Sequence, residues 1–197
     1  MRLLLLFLVL SFYMNAQNKN HNLPFHEISS EKNNYTSVNI IYRLIEGAGY
    51  RYYWASKGLK TIDLEYKPSS TSISSYETLE HIYILSETIV NSVFNKANYR
   101  PANKIPESYQ ELREETLNNL KKFNDVIINK GEDDLKKIKI IFNRDGREAS
   151  FPFWNLLNGQ IADMIYHTGQ IVSFRRTTGN PIQKGVNVFL GKTKTFN

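Results

Sequence analysis

Apolar residues recur at helical spacing in four long stretches of this sequence, and one short stretch before the last of them breaks the pattern. The helical stretches cover about residues 37–57, 75–97, 106–130 and 152–178. Between the last two, residues 137–151 read as two short strands around a tight Asp145-Gly146 turn, which is typical of a β-hairpin. Four long helices with one hairpin before the last helix predict an all-α four-helix bundle.

Capping residues and glycines refine this prediction. Ser74 or Ser75 is suited to cap the second helix, with the acidic Glu77 in its first turn, where a negative charge is favourable. Gly47 and Gly49 fall inside the first helix and lower its expected continuity, because glycine is a poor helix former.

The N-terminal segment, residues 1–16, has the layout of a cleaved secretory signal. Arg2 supplies the positive end, Leu3–Leu10 is an apolar run too short to span a bilayer, and Ala16 is the small residue expected at a cleavage site. Cleavage before Gln17 gives an exported protein, periplasmic or extracellular, with no integral membrane segment. The alternative is an uncleaved membrane anchor.

The rest of the chain is predicted to form one domain between two short extensions. Residues 17–34 are polar and predict a flexible leader, residues 35–182 contain the four helices, and residues 183–197 predict a tail packed along them. Residues 98–105, interrupted by Pro101, are expected to be an irregular connection. The hydrophobic share of 41% suits a single domain with a sizeable core.

Charge and cysteine content exclude several classes of function. The formal net charge of +6 is spread over separate clusters of both signs, so no stripe of Lys and Arg predicts nucleic-acid binding. The chain has no cysteine, which excludes a thiol nucleophile, a thiolate metal site and a lipoprotein anchor. Any metal must therefore be bound through nitrogen and oxygen atoms.

Asp163 and His167 are four residues apart in the last predicted helix. That spacing places both side chains on one helical face, about 6 Å apart along the axis, where a carboxylate and an imidazole can bind one divalent metal. His21 and His26 lie in the polar leader and are expected to face solvent. His81 lies in the second helix and is the natural third ligand.

Three groups of residues resemble the signature of the DinB-like superfamily, which includes the YfiT-type metal-dependent hydrolases. They are His167-Thr168-Gly169-Gln170 followed by Arg175, then Gly179-Asn180-Pro181, and Glu80-His81 in the second helix. The family's last helix typically reads H-x-x-x-H-R-G-Q, followed by an arginine and Gly-x-Pro. The resemblance covers about residues 35–182. It implies a DinB-like four-helix bundle of up-down-down-up type with a short hairpin before the last helix.

The resemblance also implies a metal site, with one departure. The family's metal is usually held by three histidines; His81 and His167 match two of them, and Asp163 stands at the third position. Two histidines and a carboxylate are a competent ligand set for one divalent Zn, Ni, Fe or Mn ion, with an open position for water or substrate. The alternative is a decayed site in which Asp163 only hydrogen-bonds a neighbouring helix.

Other polar residues of the last helix are candidates for substrate binding. Arg175 could bind an anionic group of a substrate or pair with acids on another helix, and Arg176 is its competitor. Tyr166 and Gln170 are weaker candidates, and Gln170 is better suited to bond across the helix interface.

Two functional hypotheses remain open. The first is an exported metalloprotein that acts as a hydrolase or transferase on a small molecule, an activity class that the resemblance supplies by analogy only. The second is a non-catalytic bundle that binds a small ligand or a partner chain, including a second copy through an exposed helix face. Asp163→Asn separates them, because only the metalloenzyme would lose its metal and its activity.

Overall fold

The computed structural model describes residues 23–102 and 104–195 and shows a mostly helical protein with small β elements. The predicted signal segment, residues 1–16, lies outside the described residues. The helices are α1 (Ser37–Ser56), α2 (Thr61–Leu64), α3 (Ser75–Ser92), α4 (Tyr109–Ile127), α5 (Glu132–Leu135), α6 (Trp154–Leu156) and α7 (Ala162–Thr177), with a π-helical turn at Leu157–Ile161 between the last two. The strands are β1 (Ala97–Arg100), β2 (Lys139–Arg144), β3 (Arg147–Pro152), β4 (Val186–Asn187) and β5 (Lys192–Thr193).

Local sequence signals set the starts of the long helices. The Ser74 hydroxyl accepts the backbone N–H of Glu77 at 3.1 Å, and the Glu77 carboxylate accepts the backbone N–H of Ser74 at 2.6 Å. This capping box satisfies two N–H groups that have no partner inside the helix. Ser74 therefore caps α3, one of the two positions predicted for this role, and Thr36 caps α1 in a similar way.

The core lies between α1, α3, α4 and α7. Each of these helices contributes side chains with no exposed surface, among them Ile45, Leu79, Leu117 and Met164. Helix α1 contacts α4 and α7, and α3 contacts the same two helices. No helix in the described part of the chain combines the length and the apolar character needed to span a membrane.

The described part of the predicted leader, residues 23–34, packs against α1. The ring of Phe25 is buried, and the indole N–H of Trp54 donates to the carbonyl of His26 at 3.2 Å. A Cβ atom at Gly49 would lie 2.5 Å from the Phe25 ring, so this glycine permits the contact. Helix α1 continues through Gly49. Residues 23–34 are attached more firmly than their polar composition predicted, because the buried ring of Phe25 anchors them to α1.

The predicted tail contacts the same helix. Strands β4 and β5 pair antiparallel. The hydroxyl of Tyr50 on α1 donates to the carbonyl of Lys192 at 2.8 Å, and the N–H of Ile28 donates to the carbonyl of Gly191 at 2.9 Å. The two extensions of the helical domain are therefore joined to each other as well as to α1.

The connection expected at residues 98–105 contains a strand instead. Strand β1 pairs in parallel with β2, with Ala97 opposite Ile141, and extends the predicted hairpin of β2 and β3 into a three-stranded sheet. Asn98 is buried and its side-chain amide donates to the carbonyl of Ile141 at 2.9 Å. The sequence Ala-Asn-Tyr-Arg has no alternating apolar pattern, so only the sheet partner reveals this strand.

The last helix also starts later than predicted and is interrupted. Pro152 belongs to β3, where it lies opposite Lys139, and helical structure begins at Trp154. The π-helical turn Leu157–Ile161 follows before α7 begins. The π-helical turn adds one residue and so shifts the phase of the apolar pattern by about 100°, a shift that the continuous helix predicted over 152–178 did not include.

Candidate metal site

Helices α3 and α7 bring the three predicted ligands together. Asp163 lies in the first turn of α7 and offers one carboxylate oxygen to each histidine: Oδ2 is 3.3 Å from Nε2 of His81, and Oδ1 is 3.3 Å from Nε2 of His167. Ligand atoms of the three residues all lie within 4.8 Å of one another. The spacing of Asp163 and His167 places them on one face of α7, and packing of α7 on α3 supplies His81.

The orientation of the two imidazoles suits a shared ligand. Their ring centroids are 4.6 Å apart, and the ring planes stand at 85° to each other. The side chain of His167 is 16% exposed, whereas those of His81 and Asp163 are 41% and 43% exposed. One side of the group is thus supported by protein, and the other is accessible from solvent.

The donor set and its spacing fit one divalent ion. Two ligands at about 2.0–2.1 Å from a tetrahedral metal lie roughly 3.4 Å from each other. The two N···O separations of 3.3 Å are close to that value. Two imidazole nitrogens and a carboxylate suit ions such as Zn, Ni, Fe or Mn rather than Mg or Ca, which prefer oxygen ligands. His81, Asp163 and His167 could therefore hold such an ion.

Two residues proposed to bind substrate border this group. The Gln170 side-chain oxygen Oε1 lies 2.7 Å from Nδ1 of His167, one helical turn along α7. Tyr166 is 63% exposed, and its ring centroid is 5.2 Å from that of His167. Gln170 thus bonds within α7, whereas the sequence favoured a bond across the helix interface. Tyr166 lies at the solvent edge of the site.

The third proposed substrate-binding residue, Arg175, lies elsewhere. Its side chain is buried, 4% exposed, near the C-terminal end of α1. Nη1 donates to the carbonyls of Trp54 (3.1 Å), Ala55 (2.8 Å) and Lys57 (3.0 Å), and Nε donates to the carbonyl of Asn180 at 2.6 Å. The guanidinium satisfies carbonyls at a helix end that have no partner inside the helix. These contacts are those of the second role considered for Arg175, pairing with groups of the protein itself, rather than of a residue that binds substrate.

Asp63 completes a polar cluster around Arg175 and was missed by the sequence analysis. Its carboxylate accepts hydrogen bonds from the Thr178 hydroxyl, the backbone N–H of Lys60 (2.7 Å) and the amide of Asn180 (2.6 Å). Burial alone would raise the pKa of Asp63, but these hydrogen bonds together with Arg175 lower it below its ordinary value. The available signal was Asp63 three residues after Lys60, in the first turn of α2, where an acidic side chain can accept the backbone N–H at the helix start. We refer to Asp63, Arg175, Thr178 and Asn180 as the Arg175 cluster.

A solved structure shares this fold. The crystal structure of YjoA, a DinB-like protein from Bacillus subtilis, superposes with a TM-score of 0.53 at 18% sequence identity, covering 71% of this chain and 92% of that chain. No protein-family model matches the sequence, and no curated protein matches it. At this identity the likeness shows the fold alone, and it confirms the DinB-like fold that the motif residues predicted.

Proposed function

We propose that this chain is an exported DinB-like protein that binds one divalent metal through His81, Asp163 and His167 and acts with it on a small molecule, as a hydrolase or a transferase. The observation that carries the proposal is the pair of 3.3 Å contacts by which one carboxylate faces two imidazole Nε2 atoms from two different helices. Two imidazoles and a carboxylate whose ligand atoms lie within 4.8 Å of one another, partly open to solvent, are the arrangement that one divalent ion requires.

The proposal includes a four-helix bundle of up-down-down-up type. Tyr76 at the start of α3 donates to the carbonyl of Glu107, just before α4, so these two helices run in the same direction. Asn124 near the end of α4 donates to the carbonyl of Tyr42 near the start of α1, so α1 runs opposite to α4. Arg175 near the end of α7 contacts the end of α1, which makes α7 parallel to α1. These contacts support the arrangement that the resemblance implies.

The residues of the site suit hydrolysis or group transfer. When bound, a divalent metal lowers the pKa of a water ligand or polarises a substrate carbonyl. Asp163 faces His81 with one carboxylate oxygen and His167 with the other, which keeps the three side chains together at one position between α3 and α7. The exposure of His81 and Asp163 leaves that point open to a small molecule, and Tyr166 is placed to contact it.

Metal content tests the first part of the proposal. The protein, purified without a polyhistidine tag, is loaded with Zn, Ni, Fe or Mn in turn and measured by elemental analysis beside His167→Ala and Asp163→Asn. We expect close to one metal per chain in the wild type, a strong loss in both variants, and no loss in His26→Ala, an exposed histidine outside the site. A folded wild type that holds no more metal than His167→Ala would contradict the proposal and favour a non-catalytic binding protein.

Export is tested separately. It is supported by the positive Arg2, the apolar run Leu3–Leu10 and the small Ala16. N-terminal sequencing of the protein from its natural source should find Gln17 as the first residue, in the periplasm or the medium. A chain that begins at Met1 in the cytoplasm would contradict export and leave the metal site untouched.

A further inference from the structure

We infer that Gln170 is a positioning residue that fixes the tautomer of His167 and points its Nε2 lone pair at the metal position; this inference rests on the proposed function. The Gln170 side-chain oxygen Oε1 is 2.7 Å from Nδ1 of His167. The Gln170 amide is placed with its oxygen toward the ring, and an amide oxygen only accepts hydrogen bonds, so in this placement Nδ1 carries the hydrogen and donates it. The other ring nitrogen, Nε2, then carries the lone pair, and it is Nε2 that faces Asp163 at 3.3 Å.

The two histidines of the site differ in their support. Within residues 23–102 and 104–195, the imidazole of His81 contacts Asp163 alone through a hydrogen bond, and the side chain is 41% exposed. His167 is only 16% exposed and is held by Gln170 on one side while Asp163 faces it on the other. Metal-binding histidines usually donate their second ring N–H to an acceptor that orients the ring. Gln170 supplies that acceptor to one histidine of the pair.

The position of Gln170 on α7 explains why a helix can provide this support. It follows His167 by three residues, so the two side chains are neighbours on the helix surface. The same helix carries Asp163 one turn before His167. One face of α7 therefore supplies two ligands, Asp163 and His167, and the residue that orients the second, Gln170. His81 comes from another helix. This arrangement makes His167 the pre-oriented ligand and His81 the adjustable one.

Metal affinity measured by competition with a chromophoric zinc chelator tests the inference. Gln170→Ala should weaken Zn binding about 10- to 100-fold, the usual cost of losing an orienting partner. Gln170→Glu keeps an oxygen acceptor on a side chain of the same length, so its Zn affinity should stay within a few-fold of that of the wild type. Ser173→Ala, an exposed change on the same helix, should have no effect. Equal affinity of wild type and Gln170→Ala, or a loss in Gln170→Glu as large as in Gln170→Ala, would overturn the inference.

The tautomer of His167 gives a second measurement that needs no metal. In long-range ¹H–¹⁵N NMR spectra of metal-free protein in alkaline buffer, where imidazoles are neutral, His167 should carry its hydrogen on Nδ1. Gln170→Ala should give a mixture of tautomers, and His81 should serve as the unchanged internal reference. Hydrogen on Nε2 of His167 in the wild type would overturn the inference. If the wild type binds no metal yet shows the Nδ1 hydrogen, the proposed function fails while the role of Gln170 in orienting His167 stands.

Discussion

The last long helix, α7, carries a polar group near each end, and the two groups are built in opposite ways. At its start, Asp163 and His167 face His81 with side chains that are partly open to solvent. At its end, the Arg175 cluster is closed: Arg175 is 4% exposed and Asp63 is 1% exposed. The side chains of the first group contact one another and Gln170 and remain partly open to solvent. Those of the second group are surrounded by hydrogen-bond partners from the protein.

This difference separates a binding role from a structural one. A buried charge is tolerated only when hydrogen bonds and opposite charges replace water, which is the case for Arg175. A ligand site must instead keep lone pairs that are not used in hydrogen bonds within the protein. Both groups contain residues that the sequence marks as functional candidates, so composition alone does not distinguish them. Burial and the number of protein hydrogen bonds do.

Arg175→Ala should have the largest effect on stability. The change leaves the carbonyls of Trp54, Ala55 and Lys57 without their donor and removes the positive charge beside Asp63. We expect a loss on the order of 3–5 kcal/mol in the free energy of unfolding, measured by urea denaturation. Arg176→Ala, at the exposed neighbouring position, should change it by less than about 0.5 kcal/mol. Similar losses in both variants would remove the distinction between the two groups.

Metal should stabilise the wild type but not His81→Ala. At a free metal concentration of about 100 times the dissociation constant, ligand binding adds roughly 2.7 kcal/mol to the free energy of unfolding. Without metal, His81→Ala should cost less than about 0.5 kcal/mol because the side chain is half exposed. Thermal unfolding of both proteins with and without Zn measures both effects. A large loss in metal-free His81→Ala would mean that this group, too, is structural.

Asp63→Asn should lower stability on the order of 1–3 kcal/mol near neutral pH. The Oδ2 atom of Asp63 accepts two N–H donors, from Lys60 and Asn180, and an asparagine would direct its own N–H₂ group at one of the oxygen positions. Asp125→Asn, an exposed change on α4, is the control and should have little effect. No difference between the two variants would show that the cluster does not need the carboxylate.

The same variant gives a pH dependence of defined sign. The folded-state pKa of Asp63 is lowered, so its stabilising contribution is complete above the unfolded-state value of about 3.9 and is lost as the pH falls through the lower folded value. The stability gap between wild type and Asp63→Asn should therefore be constant from pH 7 to 5 and shrink below about pH 4. Urea unfolding across this range measures it. A gap that grows in acid would contradict the assignment.

Tyr166→Ala should have the smallest effect. The Tyr166 side chain is 63% exposed, so we expect the free energy of unfolding to change by less than about 0.5 kcal/mol. The Zn affinity should change by no more than about twofold. Once a substrate is identified, the variant should alter the KM for it. A change in metal affinity comparable to that of Gln170→Ala would place Tyr166 among the groups that support the metal.

The parts of the structure that depend on local sequence were predictable. Apolar periodicity located the long helices, and the capping pair of Ser74 and Glu77 set the start of α3. The spacing of Asp163 and His167 put them on one helical face because an α-helix fixes that geometry by itself. The motif residues also indicated the DinB-like fold, which the solved structure of YjoA supports.

The missed features all depend on contacts between distant segments. Strand β1 forms because β2 lies beside it, and its four residues have no apolar pattern that would predict a strand. The role of Arg175 depends on the end of α1 lying next to it, more than a hundred residues earlier in the chain. Asp63 acquires its role from the same packing. For such residues the sequence supplies the chemistry, but the tertiary structure decides how it is used.

The π-helical turn at Leu157–Ile161 has a consequence for how this protein can change in length. A residue removed from an α-helix rotates everything before it by about 100° relative to everything after it. A π-helical turn already contains one residue in excess, so deleting one residue there restores α-helix and leaves both flanks in register. A deletion between Asp163 and His167 would instead turn one ligand away from the other. Loss of a single residue should therefore be tolerated at 157–161 and not within α7 between Asp163 and His167.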